Sequence, residues 1–306
     1  MRSNIIAEYV DHLIRKTSIG SNLSRIREIA PGLYARLRNI YSRLFRIDSV
    51  NDLARYQIRA VRRCLTFAPN EMLNKGVLEI GSDLDAKVIR ELHALGCPRV
   101  VGANPAFTEE DLARFNPTLP AGCLLQRADM RNTGLPDESF GVLFSVSVFE
   151  HLLEFERCLS EMFRILVPGG VVYAEFGPVW SSGLGHHVFA NVNEERARHW
   201  DPRLNPLKNH SHLLLSHDEM SQYLEGKVSK QLSEQILDWI YEREDINRLF
   251  YEDYLRIIEQ SPFEVAYRSV DRQYIPEETL AVLRVRHPNY HDFAVRNVEL
   301  VLRKPL

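Results

Sequence analysis

Residues 76–85 constrain the fold more than any other part of the chain. A short apolar run of Val77, Leu78 and Ile80 ends at Gly81, and apolar residues then recur at helical spacing. A strand, a tight turn and a helix in this order bring backbone N–H groups and a helix N-terminus up to a ligand. The segment therefore predicts an open α/β sheet that binds a ligand at the carboxyl ends of its strands.

Three more short strands are expected after this unit, each with a polar side chain at or near its end. They are predicted at residues 99–104, 124–130 and 142–145. Asn104 ends the first of them, at the position where dinucleotide-binding folds place an acidic residue on the ribose hydroxyls. An amide can donate and accept hydrogen bonds, but it carries no charge. An aspartate at position 104 would restore a charged acceptor for two hydroxyls.

Four short motifs follow one another along the first two thirds of the chain. They are Val-Leu-Glu-Ile-Gly at 77–81, Leu-Pro-Asp-Glu-Ser-Phe at 135–140, Glu-His-Leu at 150–152 and Leu-Val-Pro-Gly-Gly at 166–170. In this order and spacing the chain resembles class I S-adenosylmethionine-dependent methyltransferases, in particular the small-molecule branch with a type 11-like domain. The resemblance covers about residues 70–178. The turn Leu-x-Pro-Gly-Gly before a strand argues against the alternative of a nicotinamide enzyme.

The resemblance implies a doubly wound α/β fold with seven mostly parallel strands, and S-adenosylmethionine as the cofactor. The residues that it places at the cofactor are Glu79, Gly81, Ser82, Asp83, Asn104, Asp129, Met130 and Ser145. This chain departs from the family's glycine-rich loop, because Asp83 and Asp85 replace its second and third glycines. Asp83 could face the cationic side of the methionyl group, and Asp85 is expected to cap the following helix.

Two segments outside the predicted core are expected to form helical additions. Residues 1–69 are predicted as an N-terminal helical cap, because apolar residues recur at helical spacing around 5–14 and 33–44 and a third helix is expected over 52–64. Residues 1–63 carry thirteen Lys and Arg against five Asp and Glu. The basic face of this cap is either solvated, or it closes over an anionic substrate or docks on the acidic remainder of the chain. Binding to a membrane surface is less favoured, because the apolar stripe is short and interrupted. Residues 70–178 form the predicted cofactor-binding core, 179–262 a helical insertion or lid, and 263–306 the last two strands.

The insertion carries six of the eleven histidines of the chain. A neutral imidazole suits removal of a proton from a hydroxyl or amine. His187 is the first candidate base, His186 the second, and His151 after the fourth strand the third. The alternative is that these rings bond the backbone in a structural turn. No metal site is predicted, because no His-x-x-x-His pair lies on a clear helix.

Trp180, His210 and Tyr254 are the candidate substrate-binding residues of the chain. Aromatic and imidazole side chains of this kind can line a small-molecule pocket. The aromatic residues could equally pack between helices.

The resemblance and the residues together predict methyl transfer to an oxygen or nitrogen of a small molecule, assisted by a histidine. Two alternatives stay open: another S-adenosylmethionine-dependent reaction on the same fold, such as an intramolecular displacement or a cyclisation, and a non-catalytic binding module. The altered glycine loop and Asn104 keep the first alternative open.

Composition limits the partners and the compartment. The net charge of −3 does not favour nucleic acid, and no apolar run reaches the roughly twenty residues of a membrane span. The four cysteines are spread singly, as is typical of a reducing compartment, and the cytoplasm is the expected location. The oligomeric state is left open.

Overall fold

The computed structural model describes residues 50–68 and 70–306, with side chains from residue 56 onward except at 71. The helices predicted around residues 5–14 and 33–44 lie outside this part of the chain. The helix predicted over 52–64 is observed as Val50–Leu65.

We number the helices and strands in chain order. The helices are α1 (Val50–Leu65), α2 (Asn70–Asn74), α3 (Lys87–Ala94), α4 (Glu109–Phe115), α5 (Phe155–Ile165), α6 (Ser211–Leu214), α7 (His217–Leu224), α8 (Lys230–Leu237), α9 (Tyr251–Gln260) and α10 (Glu277–Arg286). The strands are β1 (Val77–Ile80), β2 (Val100–Ala103), β3 (Cys123–Gln126), β4 (Phe140–Val146), β5 (Leu166–Phe176), β6 (Phe189–Val192), β7 (Glu195–Arg198), β8 (Glu264–Arg272) and β9 (Val295–Arg303).

Seven strands form one sheet in the order β3-β2-β1-β4-β5-β9-β8. The five strands β1 to β5 pair in parallel, and β9 pairs antiparallel with β5. Strand β1 pairs with β2 on one side and with β4 on the other, so the strand order reverses at β1. The predicted seven-stranded, mostly parallel sheet is confirmed, and β1 and β4 flank its topological switch point.

The chain divides into two compact units. The sheet unit comprises residues 57–177, 253–270 and 297–306. The insertion unit comprises, within the described chain, residues 50–56, 178–252 and 271–296.

The sheet unit is built around the apolar runs that predicted its strands. All four residues of β1 and of β2 are buried, as expected of parallel strands covered on both faces. On α1, Ala60, Val61 and Cys64 recur at helical spacing and pack into the same core. The helix thus covers the sheet with one apolar stripe.

The insertion unit has a core of its own, in which α7 and α8 pack with a β-hairpin. The sequence predicted only helices here. Strands β6 and β7 pair antiparallel through a turn in which Asn193 has a φ of 52°. Asparagine tolerates this left-handed conformation better than most residues, and it therefore favours a hairpin turn. No helix in the described part of the chain is long and apolar enough to cross a bilayer.

Candidate functional site

Gly81 and Val148 meet at the switch point of the sheet. Gly81 follows β1 and has a φ of 81°, in the region that favours glycine. A β-carbon on Gly81 would lie 2.2 Å from Cγ2 of Val148, which follows β4. Glycine is therefore required here by the backbone conformation and by a protein contact.

Hydrogen bonds to β2 and to β1 hold the loop after β1. The backbone N–H groups of Gly81 and Ser82 donate to the carbonyl of Ala103, at 2.8 and 3.1 Å. The hydroxyl of Ser82 donates to Oε2 of Glu79 at 2.7 Å. Burial, opposed by the Ser82 hydrogen bond and assisted by the neighbouring Asp83, raises the pKa of Glu79 to about 8. A cation that comes close to a buried carboxyl of this kind stabilises its anionic form.

The two aspartates that replace loop glycines have different surroundings. Asp85 accepts a hydrogen bond from the N–H of Lys87, the first residue of α3, at 3.3 Å. Its carboxylate thus satisfies one of the open donors of the helix. The N-cap residue itself is Ala86, which has a φ of 52° and no side-chain cap, so Asp85 lies one residue before the position that the capping prediction gave it. Asp83 is exposed, and its pKa is raised by partial desolvation and by Asp85.

Asn104 is held within the loop region by both ends of its amide. Its Nδ2 donates to the carbonyl of Ser82 at 3.0 Å, and its Oδ1 accepts from the N–H of Ala106 at 2.9 Å. An amide has two donor hydrogens and two acceptor lone pairs, so each end keeps capacity for one more bond.

Asp129 lies beyond the third strand, which is shorter than predicted. β3 ends at Gln126, and Asp129 instead forms an isolated bridge with Asn132. The carboxylate of Asp129 accepts from the backbone N–H and the guanidinium of Arg131, which lowers its pKa. A side chain that bonds its own backbone two residues on favours a turn over a strand. Met130 beside it is buried.

Ser145 and Glu150 are buried polar side chains at the carboxyl end of β4. The hydroxyl of Ser145, on the strand itself, has no hydrogen-bond partner. Glu150 lies in a single helical turn over residues 149–151, and its Oε1 accepts from the N–H of Gly177 at 3.1 Å. Its Oε2 has no partner. Glu150 was not among the predicted site residues, although it stands in the quoted Glu-His-Leu motif.

His151, the third candidate base, lies next to Glu150 but is exposed. Its backbone N–H donates to the carbonyl of Val148 at 2.8 Å, which fixes the turn. The structure thus brings His151 to the same end of β4 as Ser145.

In the insertion unit, the ring of His187 is oriented by the backbone. Its Nε2 lies 2.5 Å from the carbonyl oxygen of Pro178. A carbonyl only accepts, so Nε2 carries the proton and Nδ1 is the basic nitrogen of this tautomer. The residue has a φ of 48°, and its ring centroid lies 4.9 Å from that of His199.

His186 has a different constraint. Its Nδ1 accepts from the N–H of Val188 at 3.1 Å, so Nε2 must carry the proton. The side chain is fully buried, and burial together with the nearby His212 holds its pKa well below the usual range. The lone pair that a base needs is already engaged in this conformation.

The three candidate substrate residues are separated between the two units. Tyr254 belongs to the sheet unit and is buried against Phe155 and Phe176, with ring centroids 5.1 and 5.0 Å away. His210 belongs to the insertion unit, where its Nε2 contacts the carbonyl of Phe293 at 3.2 Å. Trp180, in the same unit, is partly exposed.

A family model described as a methyltransferase domain matches residues 78–174. This stretch contains β1 to β4, most of β5 and the loop at Gly81. The core of this chain is a class I S-adenosylmethionine-dependent methyltransferase domain. The predicted family is therefore confirmed.

A probable S-adenosylmethionine-dependent methyltransferase of Mycolicibacterium smegmatis resembles this methyltransferase domain. The two sequences are 32% identical over 114 residues, which make up 37% of this chain and 39% of that protein. The chain thus spans about two fifths of the length of this relative.

Solved structures with a similar fold share little sequence identity with this chain. A methyltransferase of Mesorhizobium loti is 16% identical, with a TM-score of 0.47 over 80% of this chain and 96% of that one. A geranyl diphosphate C-methyltransferase of Streptomyces coelicolor is 11% identical, with a TM-score of 0.46 over 80% and 76%. Identities this low say nothing about a substrate.

S-adenosylmethionine is the cofactor of this family, and the methyltransferase domain offers groups that fit it. The cofactor carries an ammonium and a sulfonium, and the buried carboxyl of Glu79 is a suitable partner for a cation. The unpartnered hydroxyl of Ser145 offers a buried hydrogen bond at the carboxyl end of β4. Asn104 keeps a donor and an acceptor for hydroxyls.

Proposed function

We propose that this protein transfers the methyl group of S-adenosylmethionine to an oxygen or nitrogen of a small molecule, with His187 as the general base. The observation that carries the role of the base is the 2.5 Å contact between Nε2 of His187 and the carbonyl of Pro178. This contact fixes one tautomer, so Nδ1 is the basic nitrogen of His187 and the ring is held in one orientation.

The cofactor, when bound, supplies an electrophilic methyl group. The residues of the protein hold the acceptor in line with that group, and such positioning accounts for most of the rate in a displacement of this kind. His187 would take the proton from the acceptor at Nδ1, while its Nε2–H stays on the carbonyl of Pro178.

The order of the candidate bases follows from their hydrogen bonds. His187 directs its proton to a backbone acceptor, whereas His186 spends its lone pair on the N–H of Val188. The chain also favours His187, since Pro178, to which it bonds, directly follows Gly177 at the carboxyl end of β5. His151 remains the alternative base.

The test compares turnover of His187→Gln with that of the unchanged protein, using methyl transfer from labelled S-adenosylmethionine. A lost base should lower turnover roughly 10²–10⁴-fold while affinity for S-adenosylhomocysteine is kept. His217→Gln is the matched control, because His217 lies exposed in the same unit. An acceptor that is already ionised should restore most of the rate of the variant. Full rate in His187→Gln would exclude the base.

Trp180 is the favoured substrate contact, because His210 and Tyr254 are almost completely buried. The partner is a small molecule, and neither nucleic acid nor a metal is invoked. The cytoplasm is supported by four cysteines that are all free thiols.

We also propose four domain segments. They are a cap over 1–69, a cofactor-binding core over 70–178, an insertion over 179–262 and a final strand pair over 263–306.

A further inference from the structure

We propose that Glu150 binds a hydroxyl group of the acceptor, which makes it a determinant of substrate specificity. The inference rests on the proposed function for the identity of the acceptor. It concerns a side chain of the sheet unit and the groups that surround it there.

Glu150 joins the carboxyl ends of two neighbouring strands. It lies in the turn that follows β4, and its Oε1 accepts at 3.1 Å from the N–H of Gly177, which follows β5. Open α/β sheets bind their ligands outside the carboxyl ends of the strands. The side chain is therefore fixed at the edge of the sheet where an acceptor has to arrive.

One oxygen of this carboxyl is unsatisfied. The side chain is 1% exposed, and Oε2 has no hydrogen-bond partner. A buried polar atom without a partner destabilises the folded state. Such an atom at a ligand-binding edge indicates that the bound ligand provides the missing partner.

A second buried glutamate of the same unit shows what a purely structural carboxyl looks like. Glu161 on α5 accepts from the N–H and the hydroxyl of Thr133, at 2.8 and 2.5 Å, and it also pairs with Arg164. These bonds, the Arg164 bond first, lower the pKa of Glu161 to about 2. Glu150 has no such set of partners, and burial raises its pKa, opposed by His151 and by backbone N–H groups.

A hydroxyl is the one simple group that satisfies both protonation states of Glu150. The neutral carboxyl carries its proton on Oε2, because Oε1 accepts from Gly177, and it then needs an acceptor. The ionised carboxyl needs a donor. A hydroxyl supplies either, whereas an ammonium can only donate and a ketone can only accept.

The experiment measures binding of three probes with the same ring to protein saturated with S-adenosylhomocysteine: cyclohexanol, cyclohexylammonium and cyclohexanone. Ligand-observed NMR gives the three dissociation constants without any need for turnover. Cyclohexanol should bind most tightly. In Glu150→Met, which has similar volume and no hydrogen-bonding oxygen, its affinity should fall about tenfold, which corresponds to about 1.4 kcal/mol.

Glu150→Gln separates a hydroxyl partner from a cationic one. The amide can accept from Gly177 and donate to a hydroxyl, so it should keep cyclohexanol affinity within about threefold. Glu156→Gln, an exposed change on α5, is the matched control and should change nothing. S-adenosylhomocysteine affinity and the unfolding temperature of each variant show that the fold is intact.

Three results would overturn the inference. They are tighter binding of cyclohexylammonium that is lost in Glu150→Gln, unchanged cyclohexanol binding in Glu150→Met, and no binding of cyclohexanol to the unchanged protein. Failure of methyl transfer to every acceptor, with the probe pattern intact, would instead contradict the proposed function alone.

Discussion

Gly81 faces Val148 so closely that a β-carbon on Gly81 would lie 2.2 Å from Cγ2 of Val148. The first glycine of the loop therefore has a packing reason that the sequence did not reveal. A large substitution at Gly81 would disturb the protein before it disturbed a cofactor.

Gly81→Ala should lower the free energy of unfolding by more than the roughly 1–2 kcal/mol that a left-handed residue costs. Gly134→Ala is the control for backbone strain alone, because Gly134 has a φ of 67° and no atom within 4 Å of its β-carbon position. Adding Val148→Ala should recover part of the loss, with a favourable coupling in the double-mutant cycle. Chemical denaturation of the three single variants and of the double variant measures these free energies of unfolding. Equal losses in Gly81→Ala and Gly134→Ala would contradict the steric account.

Asn104→Asp should destabilise the loop, even though an aspartate there would restore a charged acceptor for two hydroxyls. An aspartate keeps the bond from the N–H of Ala106, but it loses the donor to the carbonyl of Ser82 and sets a carboxylate against that oxygen. We expect unfolding to become easier by about 1–3 kcal/mol. Gln126→Glu makes the same amide-to-acid change at a partly exposed position and should cost far less. A stability at or above that of the unchanged protein would show that the Ser82 bond is unimportant.

Glu79 should make the cofactor-free protein less stable as the pH rises. The unfolded carboxyl ionises near pH 4.5 and the folded one near 8, so within this window only the folded protein keeps the proton. Within this window the free energy of unfolding then falls by about 1.4 kcal/mol for each unit by which the pH rises. Glu79→Gln should remove this slope, as followed by thermal unfolding from pH 6.5 to 8, above the range in which the buried histidines change the stability.

The same carboxyl gives a test of cofactor placement. If the ammonium of the cofactor lies near Glu79, binding at pH 7 should release a proton from the carboxyl. Calorimetry of S-adenosylhomocysteine in buffers of different ionisation enthalpy measures that proton, and the Glu79→Gln variant is the control that has no proton to release. Heats that do not depend on the buffer, for the unchanged protein as for the variant, would place the ammonium elsewhere.

Acid should unfold the insertion unit through its buried histidines. Burial lowers the pKa of His210 to about 4 and that of His212 to about 3, both from 6.5. Below pH 6.5 the unfolded chain takes up protons that the folded unit does not, so stability falls as the pH drops towards these values. His212→Gln should weaken this dependence, and the exposed change His217→Gln should leave it as it is.

Tryptophan fluorescence reports this transition in one unit, because Trp180, Trp200 and Trp239 all lie within residues 178–252. Tryptophan fluorescence that stays constant from pH 7 to pH 4 would contradict the prediction.

The sequence predicted the sheet well because its strands are local apolar runs. β1, β2 and β4 appear as expected, and the last two strands, β8 and β9, are observed within residues 264–303. The third strand was predicted too long, since the hydrogen bonds between Asp129 and Arg131 turn the chain. The hairpin at Asn193 was missed, although an asparagine between two short segments is a recognisable turn signal.

The candidate site was less predictable, because its partners come from distant parts of the chain. The tautomer of His187 depends on the carbonyl of Pro178, and the carboxyl of Glu150 is oriented by the N–H of Gly177, 27 residues later. No local pattern encodes such contacts. The loop motif located the region, whereas the unpartnered oxygen of Glu150 could only be found in three dimensions.

The chain passes between the sheet unit and the insertion unit five times, after residues 56, 177, 252, 270 and 296. Neither unit is a continuous stretch of sequence, so no single cut or single crossover of genes could deliver one without fragments of the other. Recombination would have to exchange them together. Diversification of this protein is therefore expected to proceed by point changes and by loop insertions inside each unit, rather than by shuffling of modules.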